Sequence, residues 1–178
     1  FSGREGQHLL RQEAAWLAPR LASRPVQPWL WLAPTPAPGW TPPSPRGVRL
    51  EADQADPQAY TGSVRCRLPW PLSSDCFGDV VLQHPPAECA EALLEEAARV
   101  LVAGGRVWLC VFNPLGPFRL RGRGGPRLAP VIGDWRWWLQ RHGLHCVAPP
   151  RYLGPRWRMR DSDAADTAAG DADGVLSL

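Results

Sequence analysis

The stretch EALLEEAARVLVAGGRVWLCVFNP, residues 91–114, sets an amphipathic helix against an apolar strand across a double glycine. Ala90, Leu93, Leu94, Ala97, Ala98, Leu101 and Val102 recur at three- and four-residue steps, the stripe that one helix face buries. Glu95 and Arg99 stand four apart on the opposite, wet face in the supportive order, and Gly104 is placed to take the left-handed conformation that ends a helix. Residues 107–112 then run apolar without alternation, as in a parallel strand covered on both faces. A helix feeding such a strand is a unit of an open α/β sheet.

Upstream, DVVLQH (79–84) reads as a strand, reached through a turn-rich link holding Pro69, Trp70 and Pro71. Residues 63–68, 48–52 and WLWLA (29–33) read as three more. Leu10, Ala14, Leu17 and Leu21 recur at helical spacing in a leading helix over 7–21. The loop after WLWLA carries Pro34, Pro36, Pro38, Pro42, Pro43 and Pro45, so it is stiff and poor in N–H donors. Downstream, GPFRLRGRGGPR (116–127) is irregular. Asp134 is placed to cap a helix that carries Trp135, Trp138, Leu139 and His142 and stops at Gly143, and LHCVA (144–148) reads as a last strand. Residues 161–178 are small and acidic with little to bury, and disorder is expected there. The expected organisation is one domain over 1–160 with an acidic tail over 161–178. Strands alternating with amphipathic helices argue an α/β fold, a Rossmann-like open, mostly parallel sheet with helices on both faces. Ligands of such sheets bind outside the carboxyl ends of the strands, where strand order reverses.

A chain of 178 residues is long enough for one self-sufficient core. All 20 basic residues are Arg, and the tail holds five Asp and no Arg, so the net charge of +3 conceals a more basic body. The five cysteines are widely spaced and fit neither a zinc site nor a disulfide framework; no metal is expected. No apolar run reaches the length of a membrane span and the N-terminus lacks a signal-peptide core, so a soluble cytoplasmic protein that does not engage membrane is expected. Arg119, Arg121, Arg123 and Arg127 read as a solvated loop, because a nucleic-acid surface shows interleaved aromatics or a known module.

Residues 68–114, LPWPLSSDCFGDVVLQHPPAECAEALLEEAARVLVAGGRVWLCVFNP, resemble the second half of class I S-adenosylmethionine-dependent methyltransferases, especially small bacterial ones related to the quinone-biosynthesis methyltransferases. The shared order is a Leu-Pro-aromatic element, a strand, a helix like EAARVL with a double glycine, and a strand ending in Phe-Asn-Pro. GQHLLRQEAAWL and DWRWWLQRHGL are similar to flanking helices of one bacterial subgroup, which extends the resemblance to roughly residues 5–155. It implies S-adenosylmethionine as cofactor and a small-molecule methyl acceptor. By position it puts Ala33 and Thr35 at the cofactor loop, Glu51 (with Asp53 in reserve) on the ribose hydroxyls, and Pro69 and Gln83 beside the cofactor. Trp70, and with it Trp40, and Asn113 fall toward the substrate. His84 reads either as the base that deprotonates the acceptor or as a histidine that caps a strand end or faces water.

The chain also departs from that family's pattern. Trp31 stands where an acid ends the first strand, Ala33, Thr35 and Ala37 stand near the glycines of the cofactor turn, and Val64 replaces an adenine-contacting acid. A second reading is therefore a non-catalytic protein of the same fold that serves as a binding or regulatory partner. A nicotinamide-dependent dehydrogenase is disfavoured, because no G-x-G-x-x-G follows any strand.

Overall fold

Nothing in WLWLA can face water, and the chain answers by burying all five residues of β1 (Trp29–Ala33) at the centre of the sheet. The computed structural model describes residues 1, 3–24, 27–35, 40–53, 55–112, 132–154 and 171–177. Within them, β1 pairs in parallel with β2 (Gly47–Ala52) on one side and with β5 (Phe77–Gln83) on the other, and β6 (Leu101–Phe112) lies parallel beyond β5. β3 (Ala59–Gly62) and β4 (Cys66–Arg67) extend the β2 edge, each antiparallel to its neighbour. At the far edge β8 (Asp171–Ser177) is antiparallel to both β6 and β7 (Arg151–Gly154). The strand order is β4-β3-β2-β1-β5-β6-β8-β7. Two reversals at each edge leave β4 and β7 running with β1, so only β3 and β8 oppose the sheet's direction. This is the expected open α/β sheet. The chain leaves β1 toward one edge and returns to β5 on its other side, so strand order reverses between β1 and β5.

Alternation along the strands sorts side chains between two layers. Leu30, Leu32, Leu50, Val80, Leu82, Leu109 and Val111 pack with Leu93, Leu94 and Ala97 of α2 (Ala90–Val100) and with Trp135 and Leu139 of α3 (Ile132–Arg141). Trp29, Trp31, Ala33, Val81, Trp108 and Cys110 face Leu17 and Leu21 of α1 (Arg4–Ala22). Each such Leu contributes about 1.5–3 kcal/mol of transfer free energy, so neither helical layer is dispensable. Gly143, at φ 75°, closes α3 as expected, with the Leu144 N–H on the Leu139 carbonyl.

The junction between α2 and β6 is built differently from its sequence pattern. The helix stops at Val100, and Leu101 is already extended because it is drawn into the sheet beside Phe77. Phe77 pairs with Leu101 and Asp79 with Arg106, so two steps along β5 answer to five along β6. The excess residues bulge out, and Gly104 takes φ 72° in that bulge, not at a helix cap. Arg99 pairs with Glu96, not with Glu95. The Glu96 carboxylate accepts from Arg99 Nε and Nη2, both at 2.8 Å, and from the Trp70 N–H at 2.7 Å. Arg99 also donates to the carbonyls of Leu72 and Trp70, so the pair ties the turn before β5 to α2.

Four further expectations are corrected. Residues 63–68 are not one strand: Gly62, at φ 126°, and the Ser63 N–H on the Arg49 carbonyl turn the chain between β3 and β4. Residues 144–148 form no strand, because Leu144 anchors on the core while His145, Cys146 and Val147 are exposed. α3 starts two residues before Asp134. The tail expected to be disordered supplies β8, whose backbone pairs along β6 and so covers an edge that would otherwise expose unpaired N–H and C=O groups.

Leu94→Asp, which places a charge at a fully buried position, is expected to abolish cooperative unfolding, whereas Glu91→Ala, which removes only the exposed 3.2 Å pair with Arg141, costs about 0–1 kcal/mol. Thermal melts of the two variants check this, and equal melting temperatures would refute the packing of α2. Hydrogen bonds from Arg99, opposed by burial, hold the Glu96 carboxyl below its usual range. Its contribution is therefore complete above the unfolded value of about 4.5 and lost as pH falls through the lower folded value. Glu96→Gln should cost about 2 kcal/mol near neutrality, and the gap to wild type in urea melts should close below pH 4.

Candidate functional site

The carboxyl ends of β1, β2 and β5 meet on the face that α1 covers. Ala33 pairs with Glu51 in register, and Gln83 ends β5 on the other side of β1. Gln83 is 3% exposed and fully engaged: its Oε1 accepts from Trp31 Nε1 at 3.1 Å, and its Nε2 donates to Glu13 Oε2 at 2.6 Å and to the Leu10 carbonyl at 3.3 Å. His84 follows at φ 47°, a left-handed turn that histidine tolerates better than most residues. That turn brings its Nε2 within 2.8 Å of the other Glu13 oxygen. The Glu13 side chain is 0% exposed and that of His84 is 2% exposed. A carboxylate at Glu13 accepts the Nε2–H and so selects that tautomer. His84 Nδ1 is buried without a hydrogen-bond partner among the described residues.

The N-terminal segment lies over the same point. The Phe1 ring is 4.7 Å from the His84 ring, which is 4.3 Å from that of Phe112. Gln7 Nε2 donates to the Phe1 carbonyl and to Thr35 Oγ1, the latter at 3.4 Å. At the far end of α1, Arg24 reaches Asp79 Oδ2 at 3.3 Å, and Trp108 Nε1 donates to Oδ1 at 2.9 Å. Burial pushes the Asp79 carboxyl up against these two partners. Polar clamps thus fasten α1 to β5 at both ends.

Glu51 lies one strand from the switch point. Its Oε1 accepts from Arg49 Nε at 2.9 Å, and its side chain is 19% exposed. The Arg49 guanidinium lies 4.4 Å from the centroid of the Trp40 ring. Trp40 in turn stands edge-on to Trp29 and Trp31 at 5.6 and 5.5 Å, which fixes this corner. Beyond it, a cleft of about 320 Å³ is lined by Asp53, Tyr60, Thr61, Arg65 and Cys66 among others.

Of the residues expected in the site, Ala33, Thr35, Glu51, Gln83 and His84 are brought together at the ends of β1, β2 and β5. His84 is not the water-facing histidine of one reading: its Nε2–H is given to Glu13, and its Nδ1, which keeps the lone pair a base would use, is buried. Trp70 does not fall there. It is 2% exposed, stands edge-on to Tyr60 at 6.2 Å, and packs in the layer on the α2 side, so it is a core residue and not a substrate contact. Pro69 is exposed after a cis peptide bond beyond the outer strand β4. Asn113 and the arginine loop lie outside the described residues. Glu13 went unmarked although it carries a signal: it sits three residues after Leu10 and four before Leu17, on the buried stripe of α1. No group of three His, Cys, Asp or Glu able to hold a metal occurs among the described residues.

Glu13→Ala would strand two buried donors and is expected to cost about 3–5 kcal/mol, with Glu13→Gln costing less, as urea melts would show. A loss under 1 kcal/mol in the alanine variant would mean the clamp does not hold α1.

No family model matches the chain, and no curated protein matches it in sequence. Among solved structures, a SAM-dependent methyltransferase from Archaeoglobus fulgidus aligns with 96% of this chain and 93% of its own at a TM-score of 0.62 and 9% identity. Looser likenesses are the YcgJ protein from Bacillus subtilis (TM-score 0.49, 13% identity, 76% of this chain and 73% of that one) and a SAM-dependent methyltransferase from Methanosarcina mazei (0.48, 10%, 90% and 84%). At 9% identity, the likeness to the Archaeoglobus protein establishes the fold: an open α/β sheet shared with a SAM-dependent methyltransferase over nearly the whole length of both chains.

Proposed function

We infer that the chain binds S-adenosylmethionine at the carboxyl ends of β1 and β2 and transfers a methyl group to a small molecule. The observation that carries this reading is Glu51: a half-buried carboxylate that ends β2 beside the switch point, with one oxygen committed to Arg49 and the other without a hydrogen-bond partner among the described residues. A carboxylate so placed accepts from ribose hydroxyls, and this acceptor fits the ribose end of the cofactor. The backbone of Ala33 and Thr35 would meet its methionine end, with Asp53 close to the ribose and Pro69 more remote. When bound, the cofactor supplies a methyl group activated on a sulfonium. The protein's own part is to hold the acceptor in line with it and to exclude water.

His84 acts in this reading as a positioning residue, because its Nε2–H is given to Glu13, its Nδ1 is buried, and its ring packs against both Phe1 and Phe112. Gln83 likewise orients α1 and Trp31. The second reading is a non-catalytic protein of this fold that binds a partner, since fold alone does not carry activity. No helix among the described residues is long and apolar enough to cross a membrane.

Titration calorimetry separates the two readings. Binding of S-adenosylmethionine and S-adenosylhomocysteine with Kd on the order of micromolar, weakened at least about tenfold in Glu51→Ala, is the expected result. A folded protein that binds neither compound would overturn methyl transfer in favour of the non-catalytic reading.

A further inference from the structure

His84 holds a buried acceptor that the fold leaves unmet. Its Nε2–H goes to Glu13, its Nδ1 has no hydrogen-bond partner among the described residues, and its side chain is 2% exposed. An orphaned buried acceptor costs about 1–3 kcal/mol, a cost that ends when a donor reaches it. Among the described residues two rings lie against this histidine, and they are held differently. Phe112 ends β6 and is paired there with Asp173 of β8. Phe1 precedes α1, is only partly buried, and is secured from outside the sheet. Gln7 donates to its carbonyl at 3.1 Å and to Thr35 Oγ1 at 3.4 Å, which straps it to the loop after β1. Gly6 seats it: a Cβ there would meet the Phe1 Cα at 2.7 Å and the Phe1 carbonyl oxygen at 3.0 Å. Gly6 lies in the first turn of α1, where alanine is ordinarily the better residue, so it is the approach of Phe1 that requires glycine.

We propose that Phe1 is an autoinhibitory plug: its ring fills a seat over His84 and Phe112 at the carboxyl end of β5, and a ligand must displace it to reach the histidine. Phe1 fills that seat with a benzene ring stacked on Phe112 at 5.3 Å, but it brings no donor to Nδ1. A ligand that offers an apolar body together with one O–H or N–H donor satisfies both, and so competes with the plug on better terms. A carboxylate or phosphate fits worse, since it supplies no donor and approaches the Glu13 carboxylate. The proposal rests on the reading above only in taking the methyl acceptor to be that ligand.

The test reads His84 directly and needs no cofactor. Carbethoxylation by diethyl pyrocarbonate is followed by peptide mass mapping in wild type, Phe1→Ala and Gly6→Ala, with circular dichroism to confirm folding. His84 should react about tenfold faster or more in both variants than in wild type, while the exposed His145 reacts alike in all three. Phenol, which carries a ring and a donor, should slow the reaction of His84 in Phe1→Ala, and toluene, which lacks the donor, should protect it less. Gly6→Ala keeps the side chains of the seat and carries the comparison if Phe1→Ala proves unfolded. Equal His84 rates in the folded proteins would overturn the plug, as would a folded Phe1→Ala variant that phenol fails to protect. Either result leaves the cofactor reading intact. Failure of wild type to bind S-adenosylhomocysteine would instead overturn that reading and leave Phe1 as the gate of another ligand's site.

Discussion

A carboxylate with no exposed surface holds this molecule's most consequential joint. Glu13 gives one oxygen to Gln83 and the other to His84, and through Gln83 it reaches Trp31 on the central strand. Burying a charge costs several kcal/mol unless its lone pairs are met, so α1 can lie on the sheet only in the register that meets both donors. The Arg24–Asp79–Trp108 clamp imposes the same register from the other end. The end of β5, the left-handed turn at His84 and the approach of the N-terminal segment follow from that registration.

The tryptophans divide by layer, and that division sets what the sheet's two faces can do. On the α2 side, Trp70 and Trp135 are core, with Trp138 packed partly against them. On the α1 side, Trp29 and Trp31 stand in the strand, and Trp40 folds back from the proline-rich loop to pack edge-on against them. With Arg49 seated on Trp40, the corner at the end of β2 is rigid and polar while the strands behind it stay apolar.

Sequence patterning located the central elements because periodicity reports burial directly. WLWLA, DVVLQ and the apolar half of β6 are continuous hydrophobic runs, and the α2 stripe is unambiguous. The failures share one cause. The helix end at Val100, the Glu96–Arg99 pair, the β3–β4 hairpin and the strand role of residues 171–177 all depend on partners remote in sequence, such as Phe77, Trp70, Arg49 and β6. A local window contains none of them.

At the candidate site, residue type and position along the strands were enough to nominate Glu51, Gln83 and His84, because strand ends at a reversal of sheet order collect such groups. Their chemical states were decided only in three dimensions. Gln83 and His84 are consumed by a carboxylate about seventy residues away. Trp70 turns into the core because the Glu96–Arg99 pair captures its backbone. Glu51 keeps one oxygen open because Arg49, two residues back on the same strand face, takes only the other. Composition and period thus determined that this chain forms a layered α/β sheet and where its strands end. Which polar groups remain available at those ends depended on long-range pairing, since a buried donor or acceptor must find its partner wherever the fold brings one.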